Sequence, residues 1–335
     1  MVTMSDVARA AGVSVMTVSN VINGHRHVSE ETRRKVTEAI DRLGYRMNLA
    51  ARSLRSGVTG VIGLAVPDLD QPYYGQLAAL LIAEARRRGY RVVVERTGAS
   101  LEGEAEALAH SRLRLYDGLI IATVEVGDAE AGALFADYPV VTLGERISTA
   151  AAVDHVGMAN YEGAREATRH LLEIGCRRVA SVGGRTDGTP GAATLRTSGY
   201  LAALGEADLA VDQRLVVPCP FTREGGTAAV RRLVEDDVPF DGVMCMTDTL
   251  AVGVLRALAD LGIAVPGRVP VIGFDDVPEA AFAVPSLSTV APGHAEMVNA
   301  ALDMLVERVR GTRPEGVHRQ FTGPHRLVVR ESTRR

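Results

Sequence analysis

Residues 14–20 read Ser-Val-Met-Thr-Val-Ser-Asn, and these side chains suit contact with a DNA duplex. An asparagine such as Asn20 can pair bidentately with adenine, and valine or methionine, here Val15 and Met16, can pack on a thymine methyl. The hydroxyls of Ser14, Thr17 and Ser19, with the first amides of a helix, can bind phosphate oxygens. At helical spacing Val15, Met16 and Asn20 project outward while Val18 and Val21 turn inward. The preceding Gly12-Val13-Ser14 is a tight turn between two helices. That spacing predicts a helix-turn-helix, whose second helix lies in the major groove.

A second kind of chemistry is spread over the rest of the chain. Tyr73 and Tyr74 follow Pro72 at a strand-to-helix junction, where a tyrosine can lie flat on a sugar or a base and offer its hydroxyl. Asp275 sits just past a buried strand, and a carboxylate there can accept two hydroxyl hydrogen bonds. Gly183–Gly191 looks like a phosphate cradle but lacks the GxxxxGK[ST] pattern, and no GxGxxG follows the first strand, so it reads as a pocket-lip loop. The chain has no GxSxG, HExxH, paired zinc-type cysteines or Walker motif, and its eight histidines are scattered. This pattern predicts no enzyme, no metal and no cofactor. Cys176, Cys219 and Cys245 form no CxxC pair and read as small buried hydrophobes in a reducing cytoplasm.

The elements that must position these groups fall into two classes. The first 45 residues read as three short helices. Thr3 and Asp6 have capping-box spacing and Gly12 ends the first helix; Ser14 caps a second, about 15–22, which Asn23-Gly24 closes. Ser29 caps a third, in which Val36, Ala39, Ile40 and Leu43 recur at i, i+3, i+4, i+7 before Gly44. Residues 46–60 are short and basic, with room for a two-turn helix at 48–56 that is marginal alone in water. From Val61 apolar runs alternate with amphipathic helices, as in 61–68, 91–96, 117–123, 139–144, 177–184, 240–246 and 269–276, with helices between them, one of them a short helix at 129–136. One final strand is expected at 325–332. Repeated βα units predict parallel sheets with helices on both faces, and ligands at the carboxyl ends of their strands.

The 335 residues are enough for two or three domains, and 47% hydrophobic with 23% charged residues marks a globular chain. No apolar run approaches the ~20 residues of a bilayer span, and MVTMSDVARA carries no secretory pattern, so a cytoplasmic protein without membrane contact is expected. Net charge is −4, unfavourable for nucleic acid as an average, but the charge is unevenly placed. Residues 1–60 hold nine Lys/Arg against five Asp/Glu, and residues 61–335 hold 28 against 36. A basic head on an acidic body suits local phosphate contact.

Taken in order, DVARAAGVSVMTVSNVING, VSEETRRKVTEAIDRLGYRMN and ARSL resemble the head of the LacI/GalR family. IGLAVPD, QPYY, DGLI, GYLAAL, TDTLAVG and VIGFDD continue the resemblance through the body. It implies an N-terminal helix-turn-helix head (1–47) and a hinge helix or linker (48–60). Behind them it implies a two-lobed α/β body like the periplasmic sugar-binding proteins (61–335), with one lobe about 61–160 and 292–320 and the other about 161–291 and 321–335. It implies base contacts from Val15, Met16 and Asn20, although the family often has arginine at the position of Asn20. Asn23 joins the DNA-contacting set. Leu54, otherwise a scattered surface leucine, would wedge into the minor groove between Arg52 and Arg55, and Met47 stands where the family commonly has proline.

In the body the resemblance assigns Arg196 and Asp275 to the effector, with an internal ion pair as their other reading. Val124, Phe221 and Thr247 would line the pocket beside Tyr73 and Tyr74, while Asp248 is assigned to capping its helix. The implied function is a repressor that binds a palindromic double-stranded operator as a homodimer. Its effector would be a small molecule, a sugar or sugar derivative before a nucleoside or purine. A solute-binding or sugar-active protein is the competing class, and it leaves residues 1–60 unexplained.

Overall fold

The computed structural model describes residues 2–22, 27–45, 58–113, 115–127, 138–145, 152–314 and 316–334. Asn23, the hinge helix expected at 48–56 with Arg52, Leu54 and Arg55, Met47, and a helix expected at 129–136 lie outside them. The chain forms two compact units, Met1–Thr59 and Gly60–Arg335.

In the first unit the Thr3 hydroxyl accepts from the Asp6 amide, and the Asp6 carboxylate accepts from the Thr3 amide at 3.0 Å. This reciprocal box starts α1 (Met4–Ala11). The helix stops at Gly12, whose φ of 67° is a left-handed conformation that a side chain would strain. Ser14 Oγ accepts from the Thr17 amide at 3.1 Å at the start of α2 (Val15–Ile22). Ser29 likewise caps α3 (Glu30–Leu43), which Gly44 closes. Val7, Val18 and Val36 meet, fully buried, at the centre of the three helices. Each such valine stabilises the unit by about 2 kcal/mol, a large share for a core this small.

The second unit is built on two six-stranded sheets. Strands of the first sheet are β1 (Val61–Val66), β2 (Arg91–Arg96), β3 (Gly118–Ala122), β4 (Val140–Leu143), β5 (Asp154–Met158) and β11 (Gln320–Gly323). They lie parallel in the order β11-β5-β4-β3-β1-β2. On one face pack α4 (Pro72–Arg87) and α10 (His294–Val309); α5 (Leu101–Arg112) lies on the other. The second sheet has the order β12-β10-β9-β8-β6-β7. Its strands are β6 (Val179–Val182), β7 (Val216–Val217), β8 (Gly242–Cys245), β9 (Val271–Phe274), β10 (Ser288–Ala291) and β12 (Arg326–Val328). Helices α6 (Asn160–Glu173), α7 (Ala192–Glu206), α8 (Arg223–Glu235) and α9 (Asp248–Asp260) cover it. The apolar runs of β1, β3, β4, β6, β8 and β9 are buried throughout, as parallel strands covered on both faces require.

Three findings depart from the pattern read along the chain. Asp154–Met158 forms a buried strand, although Asp-His-Val-Gly-Met carries no strand-like run. The final segment makes two short strands on different sheets instead of one. Gln320–Gly323 extends the first sheet beside β5, so the third passage between lobes falls at 324–325 and not near 320. Arg326–Val328 then pairs antiparallel with β10, the exception in the otherwise parallel sheets. Among the described residues no helix is long and apolar enough to cross a membrane.

Candidate functional site

In the first unit Val18 and Val21 are buried, whereas Met16 is 72% and Val15 43% exposed. Ser14 is exposed as well, and Thr17, Ser19 and Asn20 are half-exposed on α2. The inward pair anchors the helix to α1 and α3, leaving its other face as a stripe of apolar and amide side chains. Two exposed apolar residues at a helix start have no role in the core of the unit that carries them. They are the groups a base edge in a major groove would meet.

In the second unit a cavity of about 420 Å³ opens at the carboxyl ends of the strands of both sheets. Strand polarity places it there, since each parallel strand turns into its helix at that edge. All seven residues assigned to an effector, Tyr73, Tyr74, Val124, Arg196, Phe221, Thr247 and Asp275, line this one cavity. Tyr73 and Met158 pack against the apolar cores of both lobes, at the floor of the cleft. The rings of Tyr73 and Tyr74 meet edge to face with centroids 4.9 Å apart. Burial pushes both phenols above their ordinary range, so they stay protonated. Arg185, Thr189, Pro190 and Gly191 of the glycine-rich loop form part of the wall, as a lip would.

The polar centre is a chain of four side chains. Glu145 follows β4, and its Oε1 accepts from the Met158 amide at 3.0 Å. The Asn160 side chain hydrogen-bonds to Glu145 as well, and Asn160 Oδ1 accepts from Arg196 Nε at 2.6 Å. Arg196 also donates to the Met246 carbonyl, to Met158 Sδ at 3.3 Å and to Asp275 Oδ1 at 3.5 Å. Its guanidinium carbon lies 3.7 Å from the centre of the Phe274 ring. Arg196 and Asp275 therefore form an internal ion pair that also lines the cavity. Arg196 is 3% exposed, with a partner at each of its nitrogens. Burial raises the Asp275 carboxyl to about 7 against the lowering pull of Arg196, and burial raises Glu145 too. Asp275 adopts φ 118° and Asp276 φ 50°, left-handed conformations costly for a residue with a Cβ. Asp276 is held there by Arg330 at 2.7 Å.

Two buried carboxylates support the cleft from behind. Glu104, fully buried on α5, accepts from the amides of Val124 and Val126 at 2.8 Å and of Glu125 at 3.1 Å. It fixes the turn that brings Val124 and Glu125 to the cavity. Asp248 is not the cap of its helix, as its position predicted. Thr247 is the cap, accepting from the Leu250 amide at 3.2 Å. The Asp248 carboxylate turns inward to accept from Thr289 Oγ1 at 2.6 Å and the Val277 amide at 3.0 Å, bracing the 275–277 loop. Sequence reasoning missed Glu145, Asn160, Met158, Cys219 and Met297 in the cavity wall. Of these, Glu145 and Asn160 had a usable signal, as polar residues just past a strand end.

Comparison with known proteins places these features together. Residues 3–48 match the family described as bacterial regulatory proteins, lacI family, and residues 168–333 match the periplasmic binding protein-like domain. The ribose operon repressor of Halalkalibacterium halodurans is 33% identical over 334 residues, 100% of this chain and 98% of that protein. A LacI-family regulator structure from Sanguibacter keddieii is 43% identical with TM-score 0.74, covering 82% of this chain and 99% of that one. The lac repressor dimer bound to operator and the anti-inducer ONPF has TM-score 0.84 at 25% identity, covering 99% of each chain.

Proposed function

This chain belongs to the LacI family of bacterial regulatory proteins, and on that premise we propose that it is a cytoplasmic, effector-controlled transcriptional repressor. The observation that carries the reading is the exposed Val15–Met16 edge of α2, held outward by the buried Val18 and Val21. Residues 1–47 act as the DNA-reading head. Val15, Met16 and Asn20 read bases, and Ser14, Thr17, Ser19 and Asn23 contribute further DNA contacts. Residues 48–60 act as the hinge, where the family resemblance assigns Leu54 to the minor groove between Arg52 and Arg55.

One head reads one half-site, so the working species is a homodimer on a palindromic operator. The effector is a sugar or sugar derivative bound in the cleft. The support is chemical: carboxylates that accept hydroxyl hydrogen bonds line the same cavity as the aromatic side chains of Tyr73, Tyr74 and Phe221. Regulation is linkage. An effector that binds one lobe arrangement more tightly shifts the population that can hold DNA.

The test is selection of duplexes from a randomised pool by the full-length protein, with and without sugars. Enrichment of a two-fold symmetric sequence is expected; no enriched sequence in either condition overturns the proposal.

A further inference from the structure

We infer that the cleft selects uncharged polyhydroxy ligands and excludes their phosphate esters and acid derivatives, with Glu145 as the residue that enforces the choice. The inference rests on the cleft being the effector site.

The inner wall carries two carboxylates, Glu145 from the first lobe and Asp275 from the second, and one guanidinium, Arg196. An anionic ligand needs a cation with donors to spare, and each of the three nitrogens of Arg196 already has a protein partner, which leaves one Nη1–H. Nε serves Asn160, Nη1 serves the Met246 carbonyl, and Nη2 is shared between Met158 Sδ and Asp275. Its flat face is closed by Phe274. At the rim Arg185 is exposed, and its side chain is forked onto Asp187 with Nε at 3.1 Å.

The opposing feature is the first turn of α7, where Ala192 and Ala193 face the cavity and no side chain caps the helix. Such a terminus carries about half a positive charge. With Asp275 paired to Arg196, the Glu145 carboxylate still outweighs it, so a phosphate dianion entering here would be opposed by Glu145. A sugar hydroxyl meets no such opposition. It donates to either carboxylate, and the C–H faces of the ring lie on the aromatic side chains. Glu145 is the adjustable part of this balance. Asp275 is tied to Arg196, whereas Glu145 contributes a charge with no guanidinium within ion-pair distance of it among the described residues.

The experiment is calorimetric titration of the full-length protein at pH 7.5 with matched pairs: ribose and ribose 5-phosphate, glucose and glucose 6-phosphate, lactose and lactobionate, cellobiose and cellobionate. At least one neutral member should bind, with its anionic partner at least a hundredfold weaker. In Glu145→Gln the ratio should narrow at least tenfold, and in Glu145→Arg it should reverse. Melting temperatures identify folded variants, and Glu145→Ser replaces any that fails. An anion bound as tightly as its neutral partner, a ratio unchanged in Glu145→Gln, or no neutral ligand at all overturns the inference. Duplex selection decides the DNA-binding reading separately, so the two failures are distinguishable.

Discussion

Asn160 and Arg196 are joined by a 2.6 Å hydrogen bond at the place where the chain first passes from one sheet to the other. Asn160 opens α6 directly after β5, and Arg196 stands on the next helix, α7. One amide oxygen thus ties the crossing to the guanidinium in the middle of the cleft. The lobes are joined beside the cavity, where both walls meet.

Replacing Arg196 with methionine keeps much of the volume and removes the charge. Asp275 and Asn160 lose their partner inside the protein, which costs about 3–5 kcal/mol for a buried ion pair. Urea unfolding of Arg196→Met should show that loss. A change below about 1 kcal/mol would mean that the guanidinium is not the brace described above.

Glu104→Gln tests the loop behind the cavity. The amide keeps one acceptor oxygen but turns an NH2 group toward backbone donors, so at least one of the three amides is left unpaired. A hydrogen bond to a charged group contributes about 1.5–3 kcal/mol. Hydrogen exchange at Val124–Val126 should accelerate while exchange in β6 and β8 is unchanged. Equal acceleration in both lobes would contradict a local role.

His155 predicts an acid-sensitive component of stability. It is 7% exposed, with Nδ1 3.0 Å from the Thr142 hydroxyl, and burial pulls its pKa from the ordinary 6.5 to about 4. The unfolded chain therefore binds a proton near pH 6.5, which the folded protein refuses until pH 4. This contribution is complete above pH 6.5 and is lost as pH falls toward 4, by up to about 3 kcal/mol. His155→Gln, which can still meet Thr142, should flatten the stability profile between those values. Parallel profiles for the two proteins would rule the histidine out.

Asn20→Ala should relax discrimination at one base position of each half-site by about 1–3 kcal/mol and leave the salt dependence of binding unaltered. Competition binding with single-base operator variants measures this. A uniform loss on all sequences would assign Asn20 to the phosphate backbone instead.

Much of this organisation is local and so was legible along the chain. Thr3 with Asp6, Ser29 with Thr32, and the turns at Gly12 and Gly44 act within four residues, which is the range of a capping side chain. Apolar runs such as Val61–Val66 name buried strands directly, and the polarity of parallel strands brought all seven expected cleft residues to one edge. Asp154–Met158 escaped because its charge is answered from far away. Asp154 is fully buried between Arg308 at 2.6 Å and Arg313 at 3.0 Å, more than 150 residues later. The inward turn of Asp248 has the same origin, since Thr289 and the Val277 amide meet its carboxylate from about 30–40 residues away. Periodicity and caps are decided by neighbours in sequence, but whether a polar side chain can be buried is decided by the partner that sheet pairing brings to it.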